Sequence, residues 1–170
     1  MKALFTAVRA VVWSAAFLWL WSWVALGVRR YDAALGGALP AWTPFAGVPF
    51  VVGGVALMLT CVCLFVLRGR GTPAPWDAPR EFVAVGPYRH VRNPMYVGGY
   101  GALAGFALEF RSPAMLAFVA VPFACAHVLV LVSEEPMLED RFGESYRAFK
   151  RAVPRWLPRA TPWRGPAGGV

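Results

Sequence analysis

Residues 86–96, Gly86-Pro87-Tyr88-Arg89-His90-Val91-Arg92-Asn93-Pro94-Met95-Tyr96, crowd cations, hydrogen-bond donors and phenol rings between long apolar runs. The next apolar run closes on Ser133-Glu134-Glu135. Ionisable residues at the end of a membrane helix are costly without a partner and are functional candidates by default. A helix turns about 100° per residue, so at most one of Glu134 and Glu135 points straight at a shared pocket. The other caps, pairs with Arg89 or Arg92, or faces water; the plainer reading is an interfacial charge anchor. His127, in the middle of an apolar run, reads as a hydrogen-bonded buried residue rather than a catalyst, whereas His90 is open to either role. Neither has the spacing of a metal site, and no metal is expected. Signatures of serine hydrolysis, of a Walker loop and of a dinucleotide-binding turn are absent from the sequence.

The elements that must carry these residues are membrane helices. Of the residues, 58% are hydrophobic, with a mean hydropathy of +0.51 and eight Trp, the composition of an integral membrane protein. The net charge of +8 comes from 17 basic residues, all Arg except Lys2 and Lys150, and they sit in the joints and tail between apolar runs. That placement follows the positive-inside rule and argues against nucleic acid as a partner. Cys61, Cys63 and Cys125 fall inside apolar runs and read as small buried hydrophobes, with no disulfide framework.

Residues 10–28 form a first span, retained rather than cleaved, because the apolar core exceeds a usual signal-peptide core and no small-residue cleavage site follows before Arg29. Residues 31–49, with Gly36-Gly37, Pro40, Pro44 and Pro49, read as a short outer loop. Residues 50–67 make a second span in which Gly53-Gly54 allow close helix contact. The Arg- and Pro-rich joint 68–93 is cytoplasmic by its charge, which places the N-terminus and the polar site on the cytoplasmic side. Residues 95–110 and 114–132 form a helical hairpin whose first arm presents Gly98, Gly101 and Gly105 as one packing face. Residues 139–150 alternate charge with Phe142, Tyr146 and Phe149 on one stripe, an amphipathic interfacial helix. Residues 160–170 read as a loose tail. The fold class is therefore all-α and polytopic: about four transmembrane helices plus a C-terminal amphipathic helix, in a single membrane domain.

The stretch 86–98, then Glu134-Glu135-Pro136-Met137-Leu138, Phe142-Gly143-Glu144-Ser145-Tyr146 and Val153-Pro154-Arg155, in this order and spacing, resembles the isoprenylcysteine carboxyl methyltransferase family and its phospholipid methyltransferase relatives. The resemblance covers roughly residues 80–159. It implies S-adenosylmethionine as cofactor, S-adenosylhomocysteine as product, and a lipid or lipidated small-molecule acceptor entering from the bilayer. It assigns Tyr88, His90, Asn93, Pro94, Tyr96, Glu134, Glu135 and Tyr146 to the cofactor pocket, with Arg92, Glu135 and Arg155 as catalytic candidates. Asn93 departs from the His that eukaryotic members carry there; an amide exchanges hydrogen bonds but takes no proton near neutral pH.

The implied chemistry needs few groups, because aligning nucleophile, methyl and sulfur supplies much of the barrier lowering. A carboxylate acceptor requires only a cation such as Arg89, Arg92 or Arg155 to position it. An ammonium acceptor must lose a proton first, which gives Glu134 or Glu135 a base-like role. The expected function is thus an integral membrane methyltransferase, in the inner or cytoplasmic membrane, acting on an isoprenylcysteine-like carboxylate. The alternatives are a phospholipid amine N-methyltransferase and, from another class, a non-enzymatic membrane scaffold. The sequence is silent on oligomeric state.

Overall fold

The computed structural model describes residues 2–64, 67, 82 and 84–165. The end of the second predicted span, most of the basic joint with Arg68, Arg70 and Arg80, and the last five residues of the predicted tail lie outside the described residues. Among the described residues six α-helices carry the fold: α1 (Lys2–Val28), α2 (Thr43–Leu64), α3 (Pro94–Glu109), α4 (Pro113–Phe118), α5 (Ala120–Leu129) and α6 (Glu135–Ala152). Tight 3-10 turns at Arg29–Leu35 and Gly86–Arg89 join them, and no strand occurs among the described residues.

Among the described residues three stretches are long and apolar enough to cross a membrane: Val11–Leu35, Thr43–Leu64 and Pro113–Ala152. Of the four predicted spans, α3 falls short of this length. Its 16 residues reach about 24 Å against a hydrocarbon core of about 30 Å. The predicted outer loop is also shorter than expected. Thr43 opens α2 with its hydroxyl donating to the Pro40 and Leu108 carbonyls at 2.9 and 3.3 Å. Pro44 follows in the first turn, where its missing N–H costs nothing, and Pro49 lies inside the helix.

α2 and α3 pack backbone to backbone. A Cβ on Gly54 would stand 2.4 Å from the Gly98 carbonyl oxygen, and one on Gly47 2.7 Å from that of Gly105. Gly98 and Gly105 are met by α2 in the same way, whereas Gly53 and Gly101 face open space. The predicted small-residue face is corrected in one member: Ala102, not Gly101, stands between Gly98 and Gly105, against Gly54. Steps of four and three keep one helical face, and Gly101 is rotated off it.

Pro122 bars the carbonyl of Phe118 from a helical bond and accounts for the break at Val119 between α4 and α5. The hairpin turn is clasped to the loop after α1. Ser112 donates to Asp32 Oδ1 at 2.6 Å, the Ala114 N–H donates to the same oxygen at 3.0 Å, and Leu39 N–H donates to the Arg111 carbonyl at 2.8 Å. Two cysteine expectations change, since Cys61 is buried but Cys63 and Cys125 lie on the protein surface.

In detergent, Gly54→Ala should lower the thermal midpoint by the equivalent of about 1–3 kcal/mol, because its Cβ meets backbone atoms that cannot yield. Gly53→Ala should stay within about 0.5 kcal/mol of the parent. Equal midpoints for the two variants would contradict this packing.

Candidate functional site

The site is assembled where α5 runs into α6. Pro136 has no N–H to give the Val132 carbonyl, and the helix widens into a π-turn over Val130–Glu134, closed by the Glu135 N–H on the Val130 carbonyl. From this turn the two acids diverge. Glu134 Oε1 accepts from the Tyr96 hydroxyl on α3 at 2.5 Å. Glu135, only 3% exposed, turns toward the C-terminal segment.

Three cations meet the Glu135 carboxylate. Arg155 Nε and Nη2 donate to its two oxygens at 2.7 and 3.1 Å, a fork-to-fork pair. Lys150 Nζ lies 3.4 Å from Oε2 and 3.2 Å from Glu139 Oε2. Arg92 Nη1 lies 2.9 Å from Oε1 as an ion pair without the alignment of a hydrogen bond, and Arg92 Nε is buried with no partner among the described residues. The hydrogen bond to Glu135 raises the pKa of Arg155 above its ordinary value, so the guanidinium stays charged.

α6 brings Lys150 into this knot by bending. Gly143 adopts φ 53° and ψ −129°, a left-handed conformation that suits glycine. The predicted single stripe of Phe142, Tyr146 and Phe149 is therefore two helical segments meeting at a kink. The three rings converge instead on Phe82, at centroid distances of 5.6, 6.0 and 5.1 Å.

The segment after α6 runs antiparallel to the 86–93 stretch. Arg92 N–H donates to the Pro154 carbonyl at 2.9 Å, Arg159 N–H to His90 at 3.0 Å and Trp163 N–H to Arg89 at 2.8 Å. Side chains reinforce the pairing: Arg89 Nε donates to the Trp163 carbonyl at 2.5 Å, His90 Nδ1 to Arg159 at 2.9 Å and Asn93 Nδ2 to Arg155 at 3.3 Å. The tail is thus ordered beyond the predicted boundary at residue 160, with Trp163 packed on Phe149 at 5.3 Å.

Of the residues named from sequence, Arg92, Glu135, Arg155 and Tyr146 come together, with Tyr96 and Glu134 beside them. Tyr146 is buried in the cluster that includes Phe149 and Val153. Pro94 is buried at the first position of α3. The His90 ring is spent on the tail, and Tyr88 packs with Cys61 of α2. Burial and that thiol push the Tyr88 phenol pKa well above its usual value. Sequence reasoning missed Lys150 as a partner of Glu135, because the bend at Gly143 brings it there. It also missed the Trp156 indole, which donates to His127 Nδ1 at 3.0 Å. On the outer side of the knot an open groove of about 350 Å³ is lined by Glu135, Glu139, Asp140, Arg147, Lys150 and Arg155, among others.

Helices of this length and hydropathy, arranged around a charged site at the end of a span, define an integral membrane protein, and the fold matches a solved one. The structure of the eukaryotic intramembrane Ras methyltransferase ICMT (isoprenylcysteine carboxyl methyltransferase) superimposes with a TM-score of 0.59 at 18% identity, over 91% of this chain and 54% of that one. The phospholipid methyltransferase family matches residues 42–145, and the chain belongs to that family. It is 31% identical over 84 residues to the nickel-cobalt-cadmium resistance protein NccN of Alcaligenes xylosoxydans xylosoxydans, covering 49% of this chain and 39% of NccN. It is 25% identical over 157 residues to the cobalt-zinc-cadmium resistance protein CzcN of Cupriavidus metallidurans, covering 92% of this chain and 67% of CzcN. This chain thus spans well under two thirds of NccN and of the solved methyltransferase.

Glu135→Gln should lower the thermal midpoint by the equivalent of about 3 kcal/mol, since it leaves the Arg92 guanidinium, 10% exposed, uncompensated and breaks the Arg155 fork. Glu144→Gln, on exposed ion pairs, should leave it close to the parent's. A Glu135→Gln midpoint equal to the parent's would show that the knot does not hold the site together.

Proposed function

We propose that this chain is an integral membrane methyltransferase that uses S-adenosylmethionine to methylate a lipophilic acceptor. Its site faces the cytoplasm in an inner or cytoplasmic membrane. Residues 80–159 would form the cofactor-binding core, and the two N-terminal spans would anchor it. The observation that carries the reading is Arg92: a guanidinium buried beside Glu135, with an Nε that has no hydrogen-bond partner among the described residues, in a chain of the phospholipid methyltransferase family.

The residues present fit the cofactor. Its methionine end is zwitterionic, and the knot offers both signs of charge with an unused donor on Arg92. Tyr96, Asn93, Pro94 and Tyr146 would wall the same pocket, while the side chains of Tyr88 and His90 hold its frame from behind. When bound, the cofactor supplies an already activated methyl group on a sulfonium. The chain's own work is then to hold the acceptor in line, exclude water and fix charges. Among the described residues no group of three or more His, Cys, Asp or Glu could hold a metal ion.

The acceptor we favour is a carboxylate of the isoprenylcysteine kind, which Arg92 and Arg155 would position without any base. One observation supports a second reading, a phospholipid amine. Glu134 has the Tyr96 hydroxyl as its hydrogen-bond partner and no cation in an ion pair among the described residues, which suits it to take a proton from an ammonium headgroup.

The test is methyl transfer by the full chain in vesicles, given methyl-labelled S-adenosylmethionine with either N-acetyl-S-farnesylcysteine or phosphatidylethanolamine. A base-labile methyl ester supports the carboxylate reading, and Glu134→Gln should then leave kcat within a few-fold. A base-stable methylamine supports the amine reading, and Glu134→Gln should cut kcat on the order of 10²-fold. No transfer to either acceptor, with no binding of S-adenosylhomocysteine, would overturn the enzyme reading in favour of a scaffold.

A further inference from the structure

The Trp156–His127 pair lies outside every residue assigned so far, yet it borders the site. Trp156 follows Arg155 directly, so the guanidinium that grips Glu135 fixes the base of the indole side chain as well. The indole ring meets Phe123 at 5.0 Å, His127 at 5.9 Å and, edge to face, Tyr96 at 6.3 Å. Tyr96 is the ring whose hydroxyl holds Glu134.

On its other side this cluster reaches the outer surface of the helix. Phe123 and Val128 are 37% and 56% exposed, in a stretch apolar enough to cross a membrane. Trp156, itself half-buried, therefore touches the ring of the half-buried Tyr96–Glu134 pair on one side and the exposed Phe123 of that apolar stretch on the other.

The bond that holds it there is specific. An indole N–H only donates, so His127 Nδ1 accepts and the imidazole keeps its proton on Nε2. Among apolar neighbours, an unpaired indole N–H or imidazole nitrogen is costly, and this bond satisfies one of each. The tail segment is thereby pinned at adjacent residues, by Arg155 to the start of α6 and by Trp156 to α5.

We propose that Trp156, held in place by His127, is the wall that separates the Tyr96–Glu134 pair from the bilayer and sets which lipophilic acceptor reaches it. This rests on the methyltransferase reading above. Trp156 is the specificity-determining residue and His127 a positioning residue acting through it. The size of the ring governs the passage, so a smaller side chain at 156 widens access without altering the Glu135 knot.

The experiment places the full chain in phosphatidylethanolamine vesicles containing a phospholipid with a diazirine on its acyl chain. After irradiation, mass spectrometry locates the label. In the parent protein the label should fall on the α5 surface and spare the peptide containing Tyr96. Trp156→Ala should raise labelling of that peptide severalfold, and Trp156→Phe, which keeps a ring but loses the N–H, should raise it less. His127→Ala should also raise it, and His127→Asn should restore the low level, because the amide oxygen can accept in place of Nδ1. Equal labelling of the Tyr96 peptide in the parent and Trp156→Ala, whether high or low, would overturn the wall. Equal behaviour of His127→Ala and His127→Asn would overturn the positioning role. Titration of the same samples with S-adenosylhomocysteine separates the two claims. Binding that survives in the variants leaves the cofactor site standing whatever the labelling shows, and a parent that binds none removes the methyltransferase reading while the labelling still decides the wall.

Discussion

One carboxylate holds the polar half of this protein together. Glu135 is buried among Arg92 from the joint before α3, Lys150 from the far side of the bend in α6, and Arg155 from the segment after it. Removing a carboxylate from water is expensive, and only closely placed partners repay it. Here they come from three places in the chain, so the carboxylate is satisfied only once all three are in position. The antiparallel pairing of residues 154–163 with 89–92, the burial of Tyr146 and the exposure of Lys150 to a shared groove all follow from that requirement.

The apolar half supplies the distances. Backbone contact between α2 and α3 through Gly47, Gly54, Gly98 and Gly105 fixes α3 along its length. Tyr96, in the first turn of α3, thereby meets Glu134. The π-turn supplies the other condition, since Pro136 interrupts the hydrogen-bond ladder just where two neighbouring acids must face different partners. Glu134 is left beside phenol rings and Glu135 beside cations. Adjacent residues of one type are thus given different electrostatic surroundings, and with them different chemical capacities.

Much of this was legible in the sequence because local patterns carried it. Apolar runs separated by Arg and Pro mark the helices, and the spacing of Gly98 and Gly105 marks the packing face. The ordered motifs around Arg92, Glu134-Glu135 and Arg155 mark the site. What was hidden depends on bends and on long-range pairing. A positive φ at Gly143 cannot be read from a charged, amphipathic pattern, so nothing marked Lys150 as a partner of Glu135 and the three aromatics read as a single stripe. Gly101 continues the glycine spacing but is turned away from α2, and Ala102 takes its place. The tail looked loose because Gly and Pro dominate it, whereas Trp163 and the backbone of Arg159 tie it to Arg89 and His90. His127 did read as a hydrogen-bonded residue, but its partner, Trp156, lies 29 positions on, beyond any local signal.

On the proposed function, the Glu135 knot joins the joint and the tail into one cofactor-binding unit. The decisive measurement is amide hydrogen exchange of residues 86–93 and 153–163, with and without S-adenosylhomocysteine. The ligand should slow exchange in both segments together in the parent protein, and in neither in Glu135→Gln. Protection of one segment alone, or the same protection in Glu135→Gln, would contradict it.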